Sequence, residues 1–226
     1  MAEVIIKRRY TDLAFYLPKE STEFKAIRND LMARYGREMR QSATLANIPL
    51  TVLQGIILIE NAMLNPSFVN PFGFVGLGQI NTDTASDVII REKKKKRLSE
   101  AEIAVLRKQL GKRLDVLFLA DIDPKKAGNQ PIDLGYSIVN NTDLKNPEFN
   151  LMVSAIYASQ LIDEELEATA EGELVRLDRV IVRYNQGYYY KIPKLKTESL
   201  IAQLPNEPKN YIKKMVGANG MMETLS

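Results

Sequence analysis

The chain has 226 residues, of which 45% are hydrophobic and 26% are charged, an ordinary mixture for a globular protein with a sizeable core. Lys and Arg exceed Asp and Glu by 31 to 28, and this net charge of +3 is too small to indicate nucleic-acid binding. The absence of Cys and His excludes disulfides, zinc fingers, thiol nucleophiles and Ser/His/Asp triads. An enzyme made from this sequence has to use carboxylates, Lys, Tyr or hydroxyl groups, and we expect neither a metal site nor a cofactor.

The N-terminal part is predicted to be extended at first and then helical. EVIIKRRY looks extended, and apolar residues at helical spacing predict a helix over 21–35. Gly36 is expected to end that helix, and a more polar one is expected over 37–46. Pro49 suits the first turn of a third helix over 49–63, which is apolar on most of its circumference. We expect this third helix at the centre of the fold.

The next part alternates between a loop, a helix and a basic run. Residues 65–80 are rich in Asn, Pro, Gly and Phe, which predicts an irregular loop or a small hairpin. Thr82 and Asp83 are expected to cap a helix that runs to residue 90. The basic run REKKKKRL at 91–98 is interpreted as a solvated helix face or a linker.

The second half is predicted to be helical with one long loop. Ser99 and Glu102 form a capping box before a helix whose apolar residues repeat as far as Leu117. The remaining elements follow from turn residues and apolar spacing: a surface loop over 121–148, helices over about 147–167 and 173–184, a helix end at Gly187, and a peripheral tail over 191–226.

Glu60 is unusual because it ends the most apolar segment of the chain, residues 48–64. A carboxyl group buried there has a raised pKa unless a partner offsets the loss of water. Glu60 therefore either faces solvent or has a chemical use. The same segment is short and carries Gln54 as well, so we expect a buried helix and no membrane span.

Four polar patches follow one another in a recognisable order. They are Glu60-Asn61 after an apolar helix, GLGQINTDTA at 76–85, NPEFN at 146–150 and RYNQG at 183–187. This order resembles the catalytic domain of the soluble lytic transglycosylases, which are relatives of goose-type lysozyme. The resemblance covers about residues 37–190, with a long interruption.

The resemblance implies a mainly α, α+β lysozyme-like fold. In such a fold a helical bundle surrounds a central apolar helix, and a small irregular or hairpin loop region forms the substrate groove. The implied division is an N-terminal helical extension at 1–36, a transglycosylase domain at 37–190 with an insertion at about 91–145, and a C-terminal peripheral tail at 191–226.

The resemblance also implies an activity, cleavage of the MurNAc-GlcNAc β-1,4 bond of peptidoglycan with formation of 1,6-anhydro-MurNAc ends. Glu60 would act first as acid and then as base, without the second carboxylate that most glycosidases use. The implied substrate-binding residues are Asn61, Gly76, Gly78, Gln79, Ile80, Asn150, Tyr184 and Asn185. Asn61 replaces the Ser of the family and Gly78 its Met, so both depart from the pattern.

Several of these residues also have a purely structural interpretation. Tyr184 suits a core aromatic with its hydroxyl at the rim, and Phe72 and Phe74 either line the cleft or pack the loop. Asp83 and Asp87 fit the start of a helix as well as a second catalytic carboxylate. For Glu60 the structural interpretation is a solvent-facing residue at a helix end.

The expected partners are peptidoglycan glycan strands and, from the resemblance, other subunits of a bacteriophage tail or virion, with no nucleic acid. No signal peptide is apparent, so we expect synthesis in the host cytoplasm and action in the periplasm or cell wall as part of the virion. Three alternatives remain open: an endolysin, a hydrolytic muramidase, and a structural tail-hub protein with this fold and weak or no activity.

Overall fold

The structure is a computed structural model that describes residues 9–10, 22–119, 138–170 and 172–216. The protein is mainly helical with one small sheet, which confirms the prediction of a mainly α fold at that level. The helices are α1 (Thr22–Leu45), α2 (Leu50–Glu60), α3 (Thr82–Lys94), α4 (Glu100–Leu110), α5 (Arg113–Leu119), α6 (Asn141–Leu144), α7 (Pro147–Glu164), α8 (Leu177–Gln186), α9 (Thr197–Gln203) and α10 (Asn206–Val216). The strands are β1 (Arg9–Tyr10), β2 (Leu166–Thr169) and β3 (Gly172–Val175).

Helix α1 is continuous where the sequence predicted two helices. Gly36 lies inside it, although Gly in a helix is about 1 kcal/mol less favourable than Ala. The apolar residues on both sides of Gly36 lie on one buried face of α1, which includes Leu31 and Met39. Helix α1 packs against α2 and α7. Tertiary burial therefore outweighs the local preference, and the boundary expected at residue 36 falls within one helix.

Helix α4 begins with the predicted capping box, but the helix ends earlier than the apolar repeat suggested. Ser99 Oγ accepts from the Glu102 backbone N–H, and the Glu102 carboxylate accepts from the Ser99 backbone N–H at 2.7 Å. Gly111, with φ of +55°, separates α4 from α5. The apolar repeat continues across this break because both helices bury the same face, including Leu114 and Leu117.

The helix predicted over 173–184 begins instead as a strand. Strand β3 pairs antiparallel with β2 and parallel with β1, in the order β1-β3-β2. Gly172 has φ of +113°, which glycine adopts readily in the turn that starts β3, and α8 begins only at Leu177. Of the segment predicted to be extended near the N-terminus, residues 3–8 lie outside the described part of the chain.

The C-terminal region contributes to the core, so the prediction of a peripheral tail is wrong for residues 197–216. Leu200, Ile212 and Met215 are buried, and α10 packs against α8 and α2. The apolar face of α10 repeats at helical spacing, which is typical of a packed helix. Residues 217–226 lie outside the described part of the chain.

Two further predictions concern the middle of the chain. Residues 93–97 are exposed, which confirms a solvated basic face for that part of the run, and Lys95 and Arg97 pair with acidic residues at the end of α7. Arg91 and Glu92 are buried, so the prediction is wrong for the first two residues of the run. The predicted surface loop over 121–148 is wrong in its described part, because Val139 and Leu144 are buried. Its residues 121–137 are not described. None of the helices in the described segments combines the length and the apolarity needed to cross a membrane.

Helix α7 connects most of these elements. It packs against α1, α2, α3, α4, α6 and α8. Thirteen of its residues are buried, which is possible because apolar or small side chains occupy almost its whole circumference. The loop between α2 and α3 rests on the first half of α7, and this contact positions the candidate site.

Candidate active site

Glu60 is the last residue of α2, and its side chain is half-buried. Burial raises the pKa of this carboxyl group to about 7, although a hydrogen bond from Tyr211 lowers it in part. Among the nearby charges, Glu207 raises the pKa and Lys214 lowers it. A carboxyl group with this pKa can both give and take a proton near neutral pH. The interpretation of Glu60 as a freely solvated residue does not fit this environment.

Asn61, directly after Glu60, organises the loop that follows α2. Its side-chain nitrogen donates to Asn65 O at 2.8 Å and to Gly76 O at 2.9 Å, and its side-chain oxygen accepts from Asn65 N at 3.2 Å. The residue is buried. Asn61 thus joins the two ends of the loop beside Glu60, and its amide is fully engaged with backbone groups.

Gly76 and Gly78 are required by packing against α7. A Cβ on Gly76, whose φ is +80°, would lie 2.5 Å from the Asn150 side-chain nitrogen and from Leu144 O. A Cβ on Gly78 would lie 2.0 Å from Ser154 Oγ and 3.0 Å from the Tyr184 hydroxyl. Ser154 and Tyr184 therefore leave no space for a side chain at position 78.

Asn150 has no exposed surface, so the structure does not place it in contact with a ligand. Its oxygen accepts from Gly78 N at 2.7 Å, and its nitrogen donates to Val75 O and Leu144 O, both at 3.0 Å. All its hydrogen-bonding groups hold the glycine loop onto α7. Asn150 is a positioning residue of the loop.

Gln79 and Ile80 end the loop between α2 and α3. Gln79 has φ of +45°, and its side-chain nitrogen donates to Gly76 O at 2.8 Å, the same carbonyl that Asn61 contacts. Ile80 pairs with Val75 in an isolated antiparallel bridge and is almost fully buried. The positive φ of Gln79 turns the chain so that its side chain reaches back over the loop.

Tyr184 lies in α8 with its hydroxyl buried between α7 and the loop. The hydroxyl donates to Gly78 O at 3.1 Å, and the ring centre lies 5.0 Å from that of Tyr157. Burial raises the pKa of Tyr184 well above its ordinary value, and the charge of Glu60 raises it further. Tyr184 is thus both a packed core aromatic and a neighbour of Glu60. Asn185 is half-buried and accepts a hydrogen bond from Gln186.

Tyr211 is a residue of this site that the sequence did not indicate. Its hydroxyl donates to Glu60 Oε1 at 2.7 Å across 151 residues of sequence, and its side chain is buried. Glu207 and Lys214 lie one helical turn to either side of Tyr211 on α10, so the same face of the helix presents all three towards Glu60. The spacing of Tyr211, Ile212 and Met215 would have indicated a buried helix, but not which element it packs against.

A pocket of about 370 Å³ lies next to these residues. Its wall includes Gln79, Ile80, Tyr184 and Asn185, together with Phe74. By contrast, Phe72 is largely exposed and is not part of the wall. Asp83 is exposed in the first turn of α3, which Asn81 caps by accepting from the Thr84 backbone N–H at 2.7 Å, so the cap lies one residue earlier than predicted.

Comparisons with known proteins add no family. A scan against protein-family models finds no match, and neither a search of curated proteins nor a search of solved structures returns a similar one.

Proposed function

We propose that the protein is a peptidoglycan lytic transglycosylase with a lysozyme-like catalytic domain. The observation that carries this proposal is the half-buried Glu60 at the end of α2, with a pKa of about 7. A general acid for glycosidic cleavage needs such a raised pKa to be protonated near neutral pH. Further support comes from Tyr184, whose hydroxyl donates to Gly78 O in the loop before Gln79 and whose pKa the charge of Glu60 raises.

In the first step Glu60 gives its proton to the oxygen that leaves C1 of the N-acetylmuramic acid. The bond from C1 to that oxygen breaks, and the N-acetyl oxygen of the same sugar attacks C1. Tyr211 donates to Oε1, so the proton that is transferred sits on Oε2. The same hydrogen bond stabilises the carboxylate that remains.

In the second step the Glu60 carboxylate takes the proton from the C6 hydroxyl of the sugar. Oxygen O6 then attacks C1 and displaces the N-acetyl oxygen, which forms the 1,6-anhydro ring. The proton returns to Glu60, no water is consumed, and no second carboxylate takes part. One residue performs both steps because its pKa lies near the working pH.

The other candidate residues divide into two groups in this proposal. Gln79, Tyr184 and Asn185 line the pocket and are the residues assigned to substrate binding. Asn61, Gly76, Gly78 and Asn150 hold the loop in shape through buried contacts. Changes in this second group act on the substrate through loop geometry.

Hydrolysis is a second candidate reaction, favoured by the placement of Glu207. This exposed carboxylate lies one turn from Tyr211 on the face of α10 that meets Glu60, and its charge acts on Glu60. A second carboxylate is what a hydrolytic glycosidase uses to activate water. Glu207 was not among the residues that the sequence indicated.

The test is digestion of purified peptidoglycan followed by mass measurement of the soluble fragments. Fragments lighter than hydrolytic products by one water support the transglycosylase. Ordinary reducing ends support hydrolysis, and their loss in Glu207→Gln would assign the base. Release of no fragments by the wild type would support the structural tail-hub alternative.

The biological setting is part of the proposal and rests on the resemblance alone. We place the protein in a bacteriophage virion, where it opens the cell wall locally during infection. Detection of the chain in purified virions by mass spectrometry tests this setting, and its presence only in lysates would favour an endolysin.

A further inference from the structure

The loop between α2 and α3 carries most of the large apolar side chains that are exposed in the described part of the protein. Six such side chains are exposed there, and four of them belong to this loop: Met63, Phe68, Val69 and Phe72. Met63 is 77% exposed and Phe72 is 83% exposed. Single exposed apolar residues are normal, but several in one segment indicate an interaction surface.

Hydrogen bonds within the loop hold it in one shape. Asn70 Oδ1 accepts from Phe72 N at 2.9 Å and from Phe74 N at 3.0 Å, and Asn70 N donates to Phe74 O at 2.9 Å. From residue 64 to residue 76, a stretch that the structure describes in full, every backbone N–H except that of Val69 donates within the loop, and the two prolines have none. The loop therefore presents its apolar side chains to solvent without leaving its own backbone donors unpaired.

The charges around the loop are arranged in the same sense. No residue from 61 to 82 is charged, so the loop has no charge to desolvate. At its base, Arg34 Nη2 donates to Leu64 O at 2.9 Å, while Nη1 pairs with Asp30. Arg37 follows one turn later on α1 and is also exposed. An uncharged apolar tip with cations at its base is complementary to a lipid bilayer with anionic headgroups.

A lipid surface fits this loop better than a protein or a glycan does. Proteins and glycans are recognised partly through hydrogen bonds, but the side chains of Asn61 and Asn70 are already engaged with the backbone of the loop. A bilayer needs no such groups from the protein and disfavours backbone groups that are unpaired.

We propose that this loop docks on the surface of an anionic lipid bilayer, with Met63 and Phe72 inserted among the lipids. The contact is interfacial and needs no membrane-spanning helix. Because the loop begins directly after Glu60, docking brings that carboxyl group close to the bilayer. This inference goes beyond the proposed function and does not rest on it.

The first test uses the absence of Trp from the chain, which makes an introduced Trp the only one. With vesicles of phosphatidylethanolamine and phosphatidylglycerol, the Trp emission of Phe72→Trp is expected to move to shorter wavelength and to be quenched by lipids with brominated acyl chains. Leu119→Trp is the matched control, because Leu119 is 86% exposed at the end of α5, and its emission should not change. No change in Phe72→Trp, or equal changes in both proteins, contradicts the inference.

The second test measures affinity by sedimentation with the same vesicles. Phe72→Ser is expected to weaken binding about tenfold, the size of one apolar side chain removed from lipid. Because Phe72 is mostly exposed, this variant should fold normally, which circular dichroism checks. Leu119→Ser should bind as the wild type does. Equal losses in the two variants would mean unspecific adsorption and would overturn the inference.

The third test concerns the cations at the base of the loop. Arg37→Gln is expected to weaken binding to the anionic vesicles about fivefold and to leave binding to phosphatidylcholine vesicles unchanged. Lys96→Gln removes the same charge from the exposed basic run after α3 and is expected to have no effect. A larger loss in Lys96→Gln would assign the binding to the basic run and contradict the inference.

Two further results would assign the loop to a different partner. Dimerisation of the wild type without lipid, abolished in Phe72→Ser, would show that the loop joins two copies of the chain. A shift of the Phe72→Trp emission with soluble peptidoglycan fragments but not with vesicles would place the loop against the glycan. Either result overturns the inference, and neither depends on whether Glu60 cleaves a glycosidic bond.

Discussion

Glu60 and Asp87 are two carboxyl groups whose pKa burial raises, but their partners differ. Glu60 accepts a hydrogen bond from the neutral hydroxyl of Tyr211 at 2.7 Å, whereas Asp87 lies 2.5 Å from the guanidinium of Arg91. A neutral donor stabilises the carboxylate only modestly, and the pKa of Glu60 stays at about 7. A cation stabilises the charged form more strongly and opposes the effect of burial on the pKa of Asp87.

The difference in partner separates the uses of the two groups. A carboxyl group that changes its protonation near neutral pH is suited to transfer a proton. A carboxylate paired with a buried guanidinium is suited to a structural ion pair. Variants of Glu60, of Asp87 and of their partners should therefore differ in what they change.

Glu60→Gln is expected to lower cleavage of peptidoglycan by about 10³-fold or more, because the amide keeps the shape and cannot donate the proton. The measurement is the rate of release of soluble fragments, together with circular dichroism to show that the fold persists. Asp83→Asn, at an exposed carboxylate of α3, is the matched control and should leave the rate unchanged. Full activity of the Gln variant would remove Glu60 from the mechanism.

Asp87→Asn is expected to lower the free energy of unfolding by about 3 kcal/mol, because it leaves Arg91 buried beside a neutral amide. Chemical denaturation measures the change. Asp30→Asn is the control, since Asp30 pairs with Arg34 at 3.2 Å on the exposed face of α1, and we expect no measurable change there. Equal changes in the free energy of unfolding in the two variants would show that the buried pair of Asp87 and Arg91 contributes no more to stability than an exposed pair.

The dependence of stability on pH should show the raised pKa of Glu60. The folded protein binds the Glu60 proton more tightly than the unfolded chain, so stability is full below pH 4.5 and declines as the pH rises to about 7. The expected decline from this group is about 3 kcal/mol. Glu60→Gln should lack it and be the more stable protein at pH 8. Parallel stability curves for the two proteins would contradict the raised pKa.

Tyr211→Phe should have the smallest effect and the most specific one. Loss of its hydrogen bond to the carboxylate raises the pKa of Glu60, so the alkaline decline of activity moves upwards by about 0.7 pH. The pH profile of kcat/KM measures this shift. Tyr35→Phe also removes a buried hydroxyl, one that donates to Leu64 O at 3.3 Å, and should keep the wild-type profile. An identical shift in both variants would indicate a general loss of packing.

Local features of the sequence predicted several elements well. The capping box at Ser99, the start of α7 after Asn146 and the apolar run of α2 are properties of neighbouring residues, and the structure has all three. The predictions that failed involve competition between local and distant contacts. Gly36 suggested a helix end, but α1 continues through it because the apolar residues on both sides are buried in the core.

The candidate site shows the same division. Four patches in one order made Glu60 and the loop to Gln79 the candidate site, through their resemblance to a known catalytic domain. The sequence could not show that the Asn150 side chain accepts a hydrogen bond from Gly78 N. Nor could it show that Ser154 and Tyr184 fill the space at Gly78. Those facts depend on how closely α7 and α8 approach the loop.

From the amino-acid sequence alone one can predict a mainly helical protein without Cys or His, with a carboxyl group at the end of an apolar helix as the chief candidate for chemistry. What surrounds that carboxyl group depends on the tertiary structure. Tyr211 is 151 residues from Glu60, and the distance of 2.7 Å between them arises from the packing of α10 against α2. The pKa of a buried group depends on its neighbours in space, and these neighbours cannot be identified from the residues next to it in the chain.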